Sequence, residues 1–139
     1  MLVIYTLVVI LLGFFQRKLL YHPVKTGPLT VARFRETMHL FPAATDVSLT
    51  TADGVAIKGW LLQQKSGMNS IETGGRPLVI YFHGNAGNRA MRTSWYQIIA
   101  SAGADVLAID YHGYADSDGT MTESGLEMDC DAAWEYATK

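Results

Sequence analysis

The stretch from Pro77 to Asn88 has the sequence P-L-V-I-Y-F-H-G-N-A-G-N, and it decides the fold that the rest of the chain can adopt. Five apolar residues, Leu78 to Phe82, end abruptly in a polar loop that contains Gly84 and Gly87. An apolar run of this length between turn signals is typical of a strand buried on both faces of a parallel sheet. The glycines predict a tight turn and a close approach of the backbone to whatever lies above the strand.

The residues after this loop predict a helix from about Arg89 to Ala102. Four apolar side chains recur there at helical spacing and fall roughly on one face: Met91, Trp95, Ile98 and Ile99. A strand, a glycine loop and a helix in this order place the loop at the carboxyl end of the strand. Open α/β sheets bind their ligands at that edge, so the loop is the candidate site.

Two strands are predicted before this segment and one after it. The runs from Val47 to Thr51 and from Val55 to Gln63 flank the pair Asp53-Gly54, and such a pair between strand-like runs predicts a hairpin. A polar, glycine-containing loop, Gln64 to Gly75, then leads to the apolar strand. Val106 to Ile109 predict a second buried strand.

The last predicted element is a helix from Glu123 to Ala137, with Thr122 as its N-cap. A hairpin followed by strand, helix, strand and helix predicts an α/β fold, with a mixed sheet and helices on its faces. The chain has 139 residues and one cysteine, Cys130, which leaves room for one small domain and excludes an internal disulfide or an all-cysteine metal site. Its net charge of -2 argues against nucleic acid as a partner.

The first residues form a separate apolar block. Leu2 to Phe15 contain no charged side chain, and Arg17 and Lys18 follow. Extended through Tyr21, residues 1–21 approach the roughly 20 residues that a membrane span requires. We therefore expect a single transmembrane or signal-anchor helix that binds the lipid bilayer, a juxtamembrane connector over 22–44 and the folded core over 45–139.

Two alternatives to the anchor remain open. A cleaved signal peptide would need a positive amino-terminal region and a small-residue cleavage site, and neither is present. An amphipathic or buried helix is the other. Because Arg17, Lys18 and Lys25 all follow the apolar block, the positive-inside rule favours a single-pass protein with a cytosolic body, in a membrane that the sequence does not identify.

Three segments together resemble the α/β-hydrolase superfamily. They are H-G-N-A-G-N at His83 to Asn88, D-Y-H-G-Y-A-D-S-D-G at Asp110 to Gly119 and E-S-G-L-E-M-D at Glu123 to Asp129. Within it they are most similar to the membrane-anchored ABHD group of monoacylglycerol and lysophospholipid lipases and its serine-aminopeptidase-like relatives. The resemblance implies the N-terminal part of that fold, hydrolysis of an acyl ester or lipid by the complete enzyme, and no cofactor.

The resemblance also implies roles for five residues. The backbone N–H of Asn85 would be a donor of the oxyanion hole, and Gly84 and Gly87 would give the substrate close access. His83 would brace the loop by hydrogen bonds and would not act as the catalytic base. Asp110, at the end of the second buried strand, is expected to organise the loops and not to be the catalytic acid.

The catalytic serine, acid and histidine of a serine hydrolase are expected beyond Lys139, because the nucleophile elbow follows the second helix in this superfamily. Ser117 lies in A-D-S-D-G, a variant elbow, but it follows no strand directly and no histidine comes after it in the required order. We interpret Ser117 as a loop-bracing residue. A metal site built from His83, His112 and Asp110 is disfavoured, since no two of them have helical or hairpin spacing.

Three hypotheses follow. The chain is the N-terminal part of a membrane-anchored serine hydrolase, a catalytically inactive membrane-tethered interaction protein, or an enzyme that uses only these residues. Folding favours the first, because the strand Leu78 to Phe82 should lack a neighbour on one side and expose an apolar edge. We expect the isolated chain to be marginally stable.

Overall fold

The computed structural model describes residues 1–64 and 75–139, so the interior of the predicted loop between Gln64 and Gly75 lies outside the described residues. The helices are α1 (Leu2–Leu20), α2 (Thr93–Ser101) and α3 (Glu123–Ala137), and there are 3₁₀ segments at Val31–Met38 and Arg89–Arg92. The strands are β1 (His22–Pro23), β2 (Thr45–Thr50), β3 (Ala56–Leu62), β4 (Leu78–Phe82), β5 (Ala86–Gly87) and β6 (Asp105–Asp110).

In the part of the chain that the structure describes, the main sheet has four strands in the order β2-β3-β6-β4. Strands β2 and β3 form the predicted antiparallel hairpin, and Gly54 has the positive φ of 83° that its turn requires. Strand β6 pairs antiparallel with β3 and parallel with β4. The predicted α/β class and mixed sheet are confirmed.

Strand β4 forms as predicted, but the expectation that it is buried on both faces is wrong. Val79 and Phe82 are 36% and 41% exposed, and the other residues of the strand are partly buried. The reason is its position, because among the described strands β4 has one neighbour, β6, and lies at the edge of the sheet. The apolar run that is fully buried is Val106 to Ile109, in the interior strand β6.

The two faces of the sheet carry separate hydrophobic cores, because successive residues of a strand point to opposite faces. In β6, Val106 and Ala108 belong to one core, which the 3₁₀ segment Val31–Met38 and α2 cover. Leu107 and Ile109 belong to the other core, which α3 covers through residues such as Ala133. The central strand is thus covered on both sides.

The connector is packed against the body. It contains a 3₁₀ helix, in which Val31 and Met38 are buried. The ring of Phe34 lies 5.4 Å from that of Trp60, and the N–H of Val31 donates to a carboxylate oxygen of Asp46 at 2.8 Å. This segment therefore docks on the folded core.

The apolar face of the helix after the glycine loop is largely exposed, although Ile99 packs against the core. Met91, Trp95 and Ile98 are 66%, 55% and 59% exposed, whereas Tyr96 and Ala100 face the core. Large apolar side chains occur on several sides of α2, so periodicity alone did not decide which side is buried. The Tyr96 hydroxyl decides it, since it donates to the backbone carbonyl of Arg89 at 2.9 Å inside the core.

Helix α1 lies apart from both cores, and all of its residues are exposed. Its 19 residues extend about 28 Å at 1.5 Å per residue, close to the thickness of a bilayer core. By length and composition it is apolar enough to cross a membrane, a property that an N-terminal signal sequence shares.

Helix α3 begins as predicted, because the Thr122 hydroxyl accepts a hydrogen bond from the N–H of Gly125 at 2.9 Å. Replacing Thr122 with alanine should lower the free energy of unfolding by about 1 kcal/mol, since one N–H of the first turn loses its acceptor. Urea unfolding of the full chain in detergent micelles measures this change. Ser124→Ala, at an exposed position of the same turn, should change stability by less than about 0.5 kcal/mol; an equal loss would contradict the cap.

Candidate active site

Two loops meet at the carboxyl ends of the adjacent parallel strands β4 and β6. The first runs from His83 through Asn85 into β5, and the second begins at Tyr111. The Tyr111 hydroxyl donates to the carbonyl of His83 at 2.5 Å, and the Tyr114 hydroxyl donates to the carbonyl of Asn85 at 2.7 Å. The second loop therefore holds the backbone of the first at two points.

The imidazole of His83 is buried beneath the first loop. Its Nδ1 lies 2.7 Å from the carbonyl oxygen of Gly84, and its Nε2 lies 3.0 Å from a carboxylate oxygen of Asp110. The ring also packs against Tyr111 and Tyr114, at centroid distances of 4.5 and 5.3 Å. Both ring nitrogens therefore face oxygens of the protein, an arrangement that braces the loop.

Asp110 is fully buried at the end of β6. Besides facing His83, its carboxylate accepts a hydrogen bond from the N–H of Arg89 at 2.8 Å and another from the guanidinium of the same residue. One carboxylate thus connects the loop after β4 to the start of the following helical segment.

Arg89 is a residue that sequence reasoning missed, and it is 2% exposed. Its guanidinium donates to Asp116 at 2.7 Å and to the carbonyl of Leu29 at 2.7 Å, and it lies 4.9 Å above the ring of Trp60. Burial alone would lower the pKa of Arg89, but the hydrogen bond and charge of Asp116, with the charge of Asp110, raise it. The available signal was the pair of carboxylates at 110 and 116, which require a buried partner if they are enclosed.

The two glycines of the loop differ. Gly87 has a φ of 82°, and a Cβ there would lie 3.0 Å from the sulfur of Met91, so the predicted turn residue is confirmed at this position. Gly84 is outside the left-handed region, and a Cβ there would meet no atom within 4 Å. The expectation that Gly84 is needed for the turn is therefore wrong; the space above it is open.

Three hydrogen bonds hold Asn85 in place. Its carbonyl accepts hydrogen bonds from the N–H of His22 at 3.0 Å and from Tyr114, and its side-chain amide donates to the carbonyl of Leu20 at 2.9 Å. Within residues 1–64 and 75–139, no acceptor is paired with its backbone N–H.

Asn85 lines a pocket of about 120 Å³, together with His83, Gly84, Tyr111 and Met121 among others. The pocket is open, and its walls combine aromatic and apolar side chains with the polar backbone of the first loop. A fixed, unpaired donor beside such a pocket can stabilise negative charge that develops on a bound carbonyl oxygen. We call it the loop pocket.

Ser117 is buried, with 1% of its surface exposed. Its hydroxyl donates to the carbonyl of Asp110 at 2.7 Å and accepts from the N–H of Lys58 at 2.8 Å. It thus braces the second loop against β3, as its position in the sequence suggested.

His112 belongs to a different cluster from His83. Its ring Nδ1 lies 2.6 Å from a carboxylate oxygen of Asp129, and its backbone N–H donates to the same carboxylate at 2.9 Å. Its ring Nε2 lies 3.4 Å from a carboxylate oxygen of Asp53. The described part of the chain contains no group of three side chains suited to hold a metal ion. His112 therefore takes no part in the contact between His83 and Asp110.

The buried ion pair predicts a pH dependence. Burial alone would raise the pKa of Asp116, but hydrogen bonds from Arg89 and from the N–H of Leu29 lower it below its usual value. Because the pKa of Asp116 is lower in the folded chain than the unfolded value of about 3.9, its ionised carboxylate stabilises the fold at pH values above about 3.9. This contribution to stability is lost as the pH falls through the lower, folded-state pKa. The free energy of unfolding, measured by urea titration at each pH, should therefore fall below about pH 4.

Asp116→Asn should have a lower free energy of unfolding than wild type at pH 7, and that free energy should fall less steeply as the pH is lowered. Asp118→Asn removes an exposed carboxylate two residues away and should keep the wild-type profile. Parallel profiles for wild type and Asp116→Asn would show that the pair does not control acid stability.

Comparisons with known proteins agree with this geometry. No family model matches the chain. An uncharacterized Mycobacterium tuberculosis protein is 36% identical over 121 residues, which cover 87% of this chain and 39% of the relative. The alpha/beta hydrolase domain-containing protein WAV2 of Arabidopsis thaliana is 32% identical, covering 92% of this chain and 40% of WAV2. The lysophosphatidylserine lipase ABHD12 of Xenopus tropicalis is 42% identical over 55 residues, which are 38% of this chain and 14% of that protein.

Among solved structures, the Pyrococcus furiosus esterase Pf2001 matches with a TM-score of 0.61 and 23% identity, covering 84% of this chain and 40% of the esterase. The chain spans about two fifths of the length of the Mycobacterium and Arabidopsis relatives. The resemblance noted in the sequence is confirmed: the chain is related to α/β-hydrolases, and it has the N-terminal part of their fold.

Proposed function

We propose that this chain is the N-terminal part of a membrane-anchored serine hydrolase that cleaves acyl esters or lipids. The observation that carries the proposal is the unpaired backbone N–H of Asn85 at the loop pocket. That N–H is one donor of the oxyanion hole, and the surrounding contacts of His83, Tyr111 and Tyr114 hold it in place before substrate binds.

The chemistry needs this donor at one step. When a serine oxygen attacks an ester carbonyl, the carbonyl oxygen becomes negative, and a positioned N–H stabilises it without reorganisation. The second donor in this fold is the N–H after the nucleophile. We assign the nucleophile, the acid and the histidine base to the part of the hydrolase that this chain does not cover, in line with its span of about two fifths of its relatives. Side chains and water suffice, so no cofactor is required.

The substrate class is supported by the relatives. One structural neighbour is an esterase, and one curated relative is a lysophosphatidylserine lipase. Helix α1 supports attachment to a membrane, with Arg17 and Lys18 at the end that adjoins the body. Its positive flank favours a cytosolic body.

Labelling with a fluorophosphonate tests the proposal. Membranes of the source cells are treated with the probe, and labelled proteins are identified by mass spectrometry through peptides of this sequence. The expected result is a labelled serine in a peptide outside these 139 residues. Label on Ser117 would overturn it, and a folded protein without label would favour the alternative, an inactive membrane-tethered interaction protein.

The loop glycines give a matched pair of variants. Gly84→Ala should leave stability unchanged within about 0.5 kcal/mol, because its Cβ meets nothing in the chain, yet slow fluorophosphonate labelling of the complete hydrolase about tenfold by occupying substrate space. Gly87→Ala should instead destabilise the fold by about 1–2 kcal/mol, since alanine disfavours a φ of 82°. Urea unfolding and labelling rates separate the two effects. Loss of stability in Gly84→Ala would contradict the open space above the loop.

A further inference from the structure

A second pocket lies where helix α1 meets the body. Its volume is about 330 Å³. Phe14, Arg17 and Lys18 line it from the helix, and Thr120 and Met121 line it from the loop before α3. We call it the helix pocket. It combines an apolar floor with two cationic side chains at one rim.

The two pockets adjoin each other. Tyr21 and Met121 line both the helix pocket and the loop pocket. These two side chains therefore lie between the space beside Phe14 and the pocket that Asn85 lines.

The cations at the rim are available for a ligand. Among the described residues, neither Arg17 nor Lys18 forms an ion pair. Both lie in the last turn of α1, which is the level of the phosphate groups if α1 spans the bilayer. Cations at that level attract anionic lipids.

We infer that the helix pocket admits an anionic phospholipid from the bilayer, with Arg17 and Lys18 binding its head-group phosphate and its acyl ester directed past Met121 to the loop pocket. The inference rests on the proposed membrane-anchored hydrolase and names its substrate class. The occupant must be amphiphilic, because the cations sit beside an apolar opening and not in a polar site.

Photo-cross-linking tests the path without requiring turnover. The full chain is placed in phosphatidylcholine nanodiscs that contain a trace of a phospholipid with a diazirine in its acyl chain. The probe carries either a phosphatidylglycerol or a phosphatidylcholine head group on the same chain. Mass spectrometry should locate cross-links at Tyr21, Met121 and the loop from His83 to Asn85, about tenfold more with the anionic probe.

Three variants separate binding from general charge attraction. Arg17→Gln with Lys18→Gln should reduce cross-linking by the anionic probe to the level of the choline probe. Arg33→Gln with Arg35→Gln removes two exposed cations outside the pocket and should leave it unchanged. Thr120→Trp, at an exposed position on the rim, should abolish cross-links beyond Met121 with either probe while those on α1 persist.

Several results would overturn the inference. They are equal cross-linking by the two probes, an unchanged pattern in Arg17→Gln with Lys18→Gln, and cross-links confined to α1. Competition by soluble glycerol 3-phosphate would show a phosphate site without a lipid path. If the chain does not co-purify with nanodiscs, the proposed anchoring fails as well. Fluorophosphonate labelling is independent of these results, so the hydrolase proposal can stand when the lipid path fails.

Discussion

Replacing Arg89 with methionine is expected to destabilise the chain by about 3–5 kcal/mol, because it leaves buried carboxylates without their counter-charge. Asp110 is fully buried and faces Arg89 and His83, and Asp116 has its hydrogen bonds to Arg89 and Leu29. Methionine has a similar length and fills the space above the ring of Trp60, so the loss comes from the charge and its hydrogen bonds. A loss of this size is a large part of the stability of a small domain.

Urea unfolding of the full chain in micelles measures this change, with tryptophan emission as the signal, to which the buried Trp60 and the exposed Trp95 and Trp134 contribute. Arg92→Met is the matched control, because Arg92 lies in the same 3₁₀ segment but its contact with the carbonyl of Ala86 is exposed. That control should lose less than about 1 kcal/mol. Similar losses for the two variants would mean that the buried pair contributes no more than a surface arginine.

Replacing Trp60 with alanine is expected to cost about 3–5 kcal/mol as well, for a different reason. The side chain is fully buried on β3, and its indole N–H donates to the carbonyl of Leu29 at 2.7 Å. Its ring contacts Phe34 and lies under Arg89. Alanine would leave a cavity between the connector and the sheet and would leave the Leu29 carbonyl one donor short.

Circular dichroism during urea unfolding follows this variant, since the fluorescent probe of the core is removed. Trp60→Phe should recover most of the loss, leaving about 1 kcal/mol for the missing N–H. Trp134→Ala, at a position on α3 that is 64% exposed, should change stability by less than about 1 kcal/mol. A larger effect at Trp134 than at Trp60 would refute the packing described here.

Local signals were sufficient for much of the fold. The Asp53-Gly54 pair predicted the hairpin, and the Thr122 cap predicted where α3 begins, because each depends on residues adjacent in sequence. The apolar run before His83 predicted a strand, and its place at the edge of the described sheet agrees with the neighbour that it was expected to lack. The order of the other strands was not predicted. Strand order depends on partners far along the chain, which a run of apolar residues does not specify.

The sequence predicted where the candidate site lies but not which residues hold its loop in place. The sequence located the loop from His83 to Asn85 after a strand, whereas the tyrosine hydroxyls that hold it reach across from the next parallel strand. Their reach depends on the register between β4 and β6. Arg89 was missed for the same reason, since an arginine after a loop resembles a surface residue until Asp110 and Asp116 enclose it.

The pairing of β1 with β5 connects α1 to the candidate site through a very short segment. His22 and Pro23 pair with Ala86 and Gly87, and a single residue, Tyr21, separates β1 from the end of α1. The side chain of Asn85 also bonds the last carbonyl of that helix. Because these contacts join the helix to the loop, we expect a tilt of α1 to reorient the loop that carries the backbone N–H of Asn85. With α1 in a bilayer, membrane thickness would become a variable that sets how the site faces its substrate.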